Sequence, residues 1–157
     1  RRALVCERVE GASATVFRQT VLARYEQRAY AARAEGQTLT ADRLSEIWME
    51  CNRAYYGDAM DLPDGYRLGW SYIPHFISTR FYTYAYVFAH LSTLALYARF
   101  REIGPGFVDA YIGFLSAGGS KGPTELLGAL GVDLGDPTVW DPGFREMERL
   151  LELAEAG

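Results

Sequence analysis

The sequence predicts an all-α protein, an irregular bundle of five to six helices. Apolar residues recur at helical spacing along most of the chain, glycine and proline residues separate these stretches, and no stretch has the pattern of a strand. About half of the 157 residues are apolar, which is enough for one core and too few for two well-packed domains. We therefore expect a single α-helical domain over residues 1–157.

The first third of the chain contains the clearest helical patterns. Residues 15–35 have apolar side chains on one face, and their charged residues, Glu26 among them, fall largely on other faces. Gly36 ends this helix. Thr40 is the expected N-cap of a second helix, which ends at Gly57.

Residues 70–90 are unusually dense in tyrosine and phenylalanine. Pro74 suits the start of a helix, and no proline or glycine occurs between residues 76 and 103, so we expect one helix of several turns with His75 near its N-terminal end. Because this helix is apolar on every face, we expect it to be buried, and its phenol and imidazole groups then need partners or a cavity.

Clusters of glycine and proline divide the rest of the chain into three further helices, over about residues 107–117, 123–130 and 141–154. The turn after the first of these contains Gly118 and Gly119. Its residue order does not fit a phosphate-binding loop, and we interpret it as a connection between helices.

Composition excludes several classes of function. The net charge is −4 and the basic residues are dispersed among acidic ones, which argues against a nucleic acid partner. No apolar stretch approaches the roughly 18–20 residues of a membrane span, so no membrane partner is expected. Cys6 and Cys51 match no zinc or redox spacing, and we interpret both as core residues of a reduced, cytoplasmic protein.

His75 and the tyrosines that follow it are the candidate chemical groups. Tyr82 and Tyr86 lie one helical turn apart on one face, whereas Tyr84 lies on another. These side chains either belong to the core or form the wall of a site, where histidine and phenol groups can donate hydrogen bonds to the oxyanion formed when water attacks an amide. No metal site is expected, since the only two histidines, His75 and His90, are fifteen positions apart.

Several motifs occur in an order that resembles a known family. They are Val16-Phe-Arg-Gln19, Ile73-Pro-His-Phe76, Phe81-Tyr-Thr-Tyr-Ala-Tyr86, Leu94-Ala-Leu-Tyr97 and Pro123-Thr-Glu-Leu-Leu127. Together they resemble the C-terminal part of oligoendopeptidase F and its relatives, zinc metallopeptidases related to thimet oligopeptidase. The resemblance covers nearly the whole chain. It implies a mostly helical, cytosolic endopeptidase of short peptides with a deep cleft.

The resemblance also implies roles for individual residues. His75 matches the family's histidine near the substrate carbonyl, and Tyr84 best matches the tyrosine that stabilises the oxyanion, with Tyr82 as the close alternative. The expected substrate-binding residues are Tyr86, Gly118 and Gly119.

In this family zinc is held by His-Glu-x-x-His and a later glutamate, which have no counterpart here. The resemblance therefore implies a C-terminal fragment of a larger zincin-like peptidase, inactive alone, with zinc only in the full-length parent. Its partners would be short peptide substrates and the upstream zinc-binding part. The alternative is a non-enzymatic helical module that binds a peptide without cutting it. Apolar surface exposed in a fragment also predicts a weak homodimer.

Overall fold

The computed structural model describes residues 2–156, and all regular secondary structure among them is helical. This confirms the all-α prediction. One π-helical turn, Ala14–Arg18, and three 3₁₀ segments, Asp64–Tyr72, Gly104–Phe107 and Pro137–Trp140, accompany the α-helices. The α-helices of the described residues are α1 Arg2–Ser13, α2 Gln19–Ala34, α3 Ala41–Tyr56, α4 His75–Ser78, α5 Thr83–Ile103, α6 Val108–Ala117, α7 Pro123–Gly128 and α8 Asp141–Glu155. None of them is both long enough and apolar enough to cross a membrane.

The contacts within the chain divide it into two compact units. One unit is Ser13–Val87, and the other comprises the remaining described residues. The expectation of a single domain stays a prediction.

In the unit Ser13–Val87, α2 and α3 form the core as their sequence patterns predict. Trp48 is fully buried, and its ring packs edge-on against Tyr25, with centroids 5.5 Å apart. Thr40 is the N-cap of α3, because its hydroxyl accepts a hydrogen bond from the Arg43 N–H at 3.2 Å. Gly57, with φ +52°, ends the helix.

The 3₁₀ segment Asp64–Tyr72 packs on α3 and leads the chain to His75. The Trp48 Nε1–H donates to the Tyr66 carbonyl oxygen at 2.9 Å, and the Trp70 Nε1–H donates to Ser45 Oγ at 3.1 Å. These two bonds satisfy the indole donors of a core that would otherwise contain unpaired polar groups.

The prediction of one continuous helix across residues 76–103 is wrong. α4 ends at Ser78 and α5 begins at Thr83, and between them Phe81 has φ +56°. No proline or glycine causes this break. Instead the Phe81 N–H donates to Glu26 Oε1 at 2.7 Å, so a side chain of α2 takes the place of an intrahelical acceptor.

The expectation that residues 70–90 are buried is also wrong for many of them. Thr83 is fully buried, and Leu91 and Ala95 further along α5 are nearly so, whereas several large side chains of the segment are at least 44% exposed. These exposed side chains are Tyr72, Ile77, Phe81, Tyr82 and Tyr84. The described residues therefore bury only one side of the segment. The sequence did not indicate which side, because the segment is apolar on every face.

Two further expectations on burial need correction. Glu26, placed on an outer face by the sequence, is only 2% exposed. Cys6, expected in the core, is exposed, whereas Cys51 is buried as predicted. Many large apolar side chains are exposed on both units, but the weak homodimer stays a prediction.

The other unit has its own core, formed by Leu96 of α5, Phe107, and the residues around α7. The Glu146 carboxylate of α8 is buried and accepts hydrogen bonds from Arg101 Nη1 at 2.5 Å and Arg149 Nε at 2.9 Å. Pairing with two cations compensates for the cost of burying this charge.

Candidate functional site

His75 is the first residue of α4, a single turn whose neighbours are packed into the core. Ile73 is 6% exposed, and the Phe76 ring lies 4.8 Å from the ring of Tyr25. The Ser78 hydroxyl donates to the Pro74 carbonyl oxygen at 2.8 Å, which reinforces the turn. His75 is therefore half-buried, and it lies on a short helix whose residues before and after it are fixed by packing and hydrogen bonds.

Tyr25, whose ring packs against Phe76 of α4, has a structural role. Burial, with a smaller contribution from Cys51, raises the pKa of its hydroxyl well above the ordinary value. The phenol therefore stays protonated throughout the physiological range, and we assign it no chemical role.

The structure brings His75, Tyr82 and Tyr86 together, and we call these three residues the His–Tyr cluster. His75 Nε2 and the Tyr86 hydroxyl are 3.1 Å apart and share a hydrogen bond. The Tyr82 ring is parallel to the imidazole, at 6.1 Å between centroids, and perpendicular to the Tyr86 ring, at 5.3 Å. Since Tyr82 is 45% and Tyr86 36% exposed, the cluster is open at the surface of its unit.

Tyr84 lies outside the His–Tyr cluster. It is 62% exposed, and among the described residues its ring contacts no other aromatic ring and its hydroxyl has no hydrogen-bond partner. Helical geometry explains the difference, because positions two apart on α5 lie on different faces. Its phenol O–H is free for an external acceptor.

Gly118 and Gly119 belong to the other unit, at the C-terminal end of α6. Gly118 has φ +52°, a conformation that glycine adopts without strain, and both residues are exposed. The Ser120 N–H donates to the Ala117 carbonyl oxygen at 3.1 Å, closing the turn. This geometry is that of a helix C-cap, and substrate binding at these glycines stays a prediction.

The described residues do not fit a zinc site. Within residues 2–156 no three histidine, cysteine, aspartate or glutamate side chains are grouped so that they could hold a metal ion. His75 is paired with a tyrosine rather than with a second ligand. The chemistry available to the His–Tyr cluster is therefore hydrogen-bond donation and proton exchange at an exposed surface.

Glu26 was missed as a member of this region by sequence reasoning. Its carboxylate holds the Phe81 N–H, directly before Tyr82. The sequence contains an indication of this contact, because Glu26 lies on the apolar side of α2, four positions after the buried Leu22 and three before the buried Ala29. An acidic residue inside such an apolar stripe indicates a specific buried partner.

An open cavity of about 580 Å³ lies beside α4. Its lining is mainly apolar, and among the described residues that line it Glu26 and Arg33 are charged. The volume lies within the range of roughly 300–1,000 Å³ that is usual for ligand pockets. The remaining lining includes Tyr25, Tyr30, Leu39, Leu44, Trp70, Phe76 and Ile77.

Comparison with known proteins first places this helical chain among peptidases. The sequence profile of peptidase family M3 matches residues 3–146, which is most of the chain. The chain therefore belongs to peptidase family M3. This confirms the resemblance seen in its motifs.

Individual relatives agree with the family assignment. Oligopeptidase PepF of Bacillus subtilis is 35% identical over 147 residues, covering 94% of this chain and 22% of that protein. Group B oligopeptidase PepB of Streptococcus agalactiae is 32% identical over 154 residues, covering 98% of this chain and 26% of that protein. Oligoendopeptidase F, plasmid, of Lactococcus lactis is 31% identical with the same coverage. The chain thus spans about a quarter of the length of these relatives. No solved structure gives a significant match.

Proposed function

We propose that the protein to which this chain belongs is a cytoplasmic, zinc-dependent oligoendopeptidase that hydrolyses short peptides. The chain would supply the wall of the cleft that stabilises the oxyanion. Membership of family M3 and the oligopeptidase names of the relatives support the activity. The observation that carries the role of the wall is the exposed hydrogen bond between His75 and Tyr86, with Tyr82 stacked on the imidazole.

Zinc and its ligands, under this proposal, lie in the part of the protein that precedes the motif Val16-Phe-Arg-Gln19. His-Glu-x-x-His does not occur in the sequence, and the described residues do not fit the metal. When bound there, zinc supplies the activation of water. The residues of this chain would donate hydrogen bonds to the carbonyl oxygen of the scissile bond.

The direction of the hydrogen bond between His75 and Tyr86 decides what the pair can donate. If Nε2 is unprotonated, the Tyr86 hydroxyl donates to it and has no proton left for a substrate. If Nε2 carries a proton, it donates to the Tyr86 oxygen, and the Tyr86 O–H can then donate to a carbonyl oxygen. The second arrangement is the productive one, because it leaves the Tyr86 O–H free to bind a carbonyl oxygen of the substrate.

Tyr84 and Tyr82 are the two candidates for direct donation to the oxyanion. Tyr84 is the better family match, and its hydroxyl has no partner among the described residues, so it is available. Tyr82 lies within the His–Tyr cluster, and its ring is parallel to the imidazole of His75. We assign the donation to Tyr84 and the positioning of the imidazole to Tyr82.

Single tyrosine-to-phenylalanine variants of the full-length protein test these roles. Tyr84→Phe should lower kcat by about 100- to 1,000-fold, the usual effect of losing one oxyanion donor, with KM little changed. Tyr97→Phe is the matched control, since Tyr97 lies on α5 and is 46% exposed. A loss of kcat in Tyr82→Phe but not in Tyr84→Phe would transfer the donor role to Tyr82. Unchanged kcat in Tyr82→Phe, Tyr84→Phe and Tyr86→Phe would refute the proposed wall.

The chain alone should not hydrolyse peptides. We expect the purified chain to release no fluorophore from a quenched peptide in the presence of zinc, and to retain no stoichiometric zinc after gel filtration. Zinc uptake together with peptide turnover by the purified chain would overturn the proposed division of roles.

A non-enzymatic peptide-binding module is the second candidate, favoured by the apolar cavity beside α4. Calorimetric titration of the chain with short apolar peptides tests it, and Ile77→Glu should abolish binding, because Ile77 lines the cavity and is 74% exposed. Binding without hydrolysis by the full-length protein would favour this module over the peptidase.

A further inference from the structure

The break between α4 and α5 contains a backbone conformation that its residue does not favour. Phe81 has φ +56°, and among the described residues it is the only one other than glycine with a positive φ. A side chain with a Cβ atom is disfavoured in this left-handed region. Such a conformation persists only where surrounding contacts hold it, and it often occurs at functional sites.

Two contacts from α2 hold Phe81. Glu26 Oε1 accepts a hydrogen bond from the Phe81 N–H at 2.7 Å, across 55 positions of sequence. The Phe81 ring packs against Tyr30, one helical turn beyond Glu26, with centroids 4.6 Å apart. The backbone and the side chain of Phe81 are therefore both fixed to the same helix.

The next residue is Tyr82 of the His–Tyr cluster. Its carbonyl oxygen accepts the Ala85 N–H at 2.9 Å, which begins the first turn leading into α5. The orientation of Phe81 therefore determines where the Tyr82 ring stands and where α5, with Tyr86, begins. From this geometry we propose that Glu26 is a positioning residue, whose buried carboxylate holds the Tyr82 ring parallel to His75 and Tyr86 within hydrogen-bond distance of it.

Stability alone does not explain an acidic residue at this position. Glu26 is 2% exposed, and its second oxygen, Oε2, has no hydrogen-bond partner among the described residues. A buried carboxylate that is only partly satisfied destabilises a fold relative to an apolar residue of similar size. The benefit must come from what the first oxygen holds in place, namely Phe81 and the residues that follow it.

Nuclear magnetic resonance of the chain can measure this role without any assay of activity. His75 and His90 are the only histidines, so each ring gives a separate signal. In the wild-type chain we expect cross-peaks between the ring protons of His75 and Tyr82. Glu26→Ala should abolish them and shift the His75 signal at constant pH.

Two variants serve as controls. Glu26→Gln keeps an acceptor oxygen and should retain the cross-peaks. Glu46→Ala removes a carboxylate from an exposed side chain of α3 and should leave the His75 signal unchanged. A folded Glu26→Ala chain that retains the wild-type cross-peaks would overturn the proposal.

If Glu26→Ala does not fold, the wild-type chain still provides a test. The amide of Phe81 should exchange with solvent much more slowly than the amide of Arg80, which has no backbone or side-chain acceptor within the described residues. Equal exchange at the two amides would show that the Glu26 contact is absent, and would refute the proposal.

The importance of Glu26 for peptide hydrolysis rests on the function proposed above. In the full-length protein, Glu26→Ala should reduce kcat as removal of the Tyr82 ring in Tyr82→Ala does, with KM little changed. Loss of the cross-peaks with unchanged kcat would support Glu26 as the positioning residue and refute a catalytic role for the cluster. Failure of the proposal for Glu26 and failure of the proposed function therefore give different results.

Discussion

Gly69→Ala should destabilise the protein through a single, well-defined clash. Gly69 lies in the 3₁₀ segment that leads to His75, and a Cβ atom at this position would lie 2.9 Å from both Cζ2 and Nε1 of Trp48. The indole is fully buried and cannot swing into solvent. Its ring also packs against Tyr25 and Tyr66, so movement in either direction meets another aromatic ring.

The size of the effect follows from what the indole would lose. Forcing an extra methyl group into a packed core costs about 1–3 kcal/mol. If the ring shifts, the hydrogen bond from Nε1–H to Tyr66 is also lost, and leaving such a buried donor unpaired costs about 1–3 kcal/mol. We therefore expect the free energy of unfolding to fall by about 2–6 kcal/mol, which corresponds to a decrease in Tm of roughly 4–24 °C for a chain of this length.

Urea unfolding followed by circular dichroism and tryptophan fluorescence measures this change. Gly65→Ala is the matched control, because Gly65 lies in the same 3₁₀ segment and a Cβ atom there would meet nothing within 4 Å. In the double variant Trp48→Phe/Gly69→Ala, the smaller ring should relieve part of the clash. The two substitutions should then cost less together than the sum of their separate effects.

The result that would refute this reasoning is equal stability of the Gly69→Ala and Gly65→Ala proteins. Strictly additive effects in the double variant would also contradict it, because additivity means that the two positions do not interact.

Two other measurements test the burial of titratable groups. Burial, only partly offset by Arg28, raises the pKa of the Cys51 thiol. A thiol reagent should therefore modify the exposed Cys6 rapidly and Cys51 only after denaturant is added. Equal rates of modification for the two thiols would contradict this. Burial lowers the pKa of His90 below its ordinary value of 6.5, so this histidine should titrate below 6.5 by magnetic resonance. The unfolded chain then binds the proton at higher pH than the folded chain. The free energy of unfolding should therefore decrease as the pH falls from about 6.5 towards the pKa of His90 in the folded chain. A midpoint of the His90 titration at or above 6.5 would contradict this.

Much of the fold was predictable because it depends on local chemistry. The cap at Thr40 and the glycine stop at Gly57 are interactions within a few residues, and both occur where the sequence predicts them. The motif around Ile73-Pro-His-Phe76 identified the family for a similar reason, since it depends only on the order of residues. The sequence by itself therefore determined the helical class, most helix ends, the family and the candidate residues.

Only the tertiary structure decided how the candidate residues are arranged. The break before Tyr82 depends on a hydrogen bond from Phe81 to Glu26, 55 positions away, and no local pattern encodes such a contact. The same break brings Tyr82 and Tyr86 to His75 and leaves Tyr84 exposed. Spacing along a helix gives the faces of that helix, whereas contacts with other elements decide which face is covered and where the helix begins.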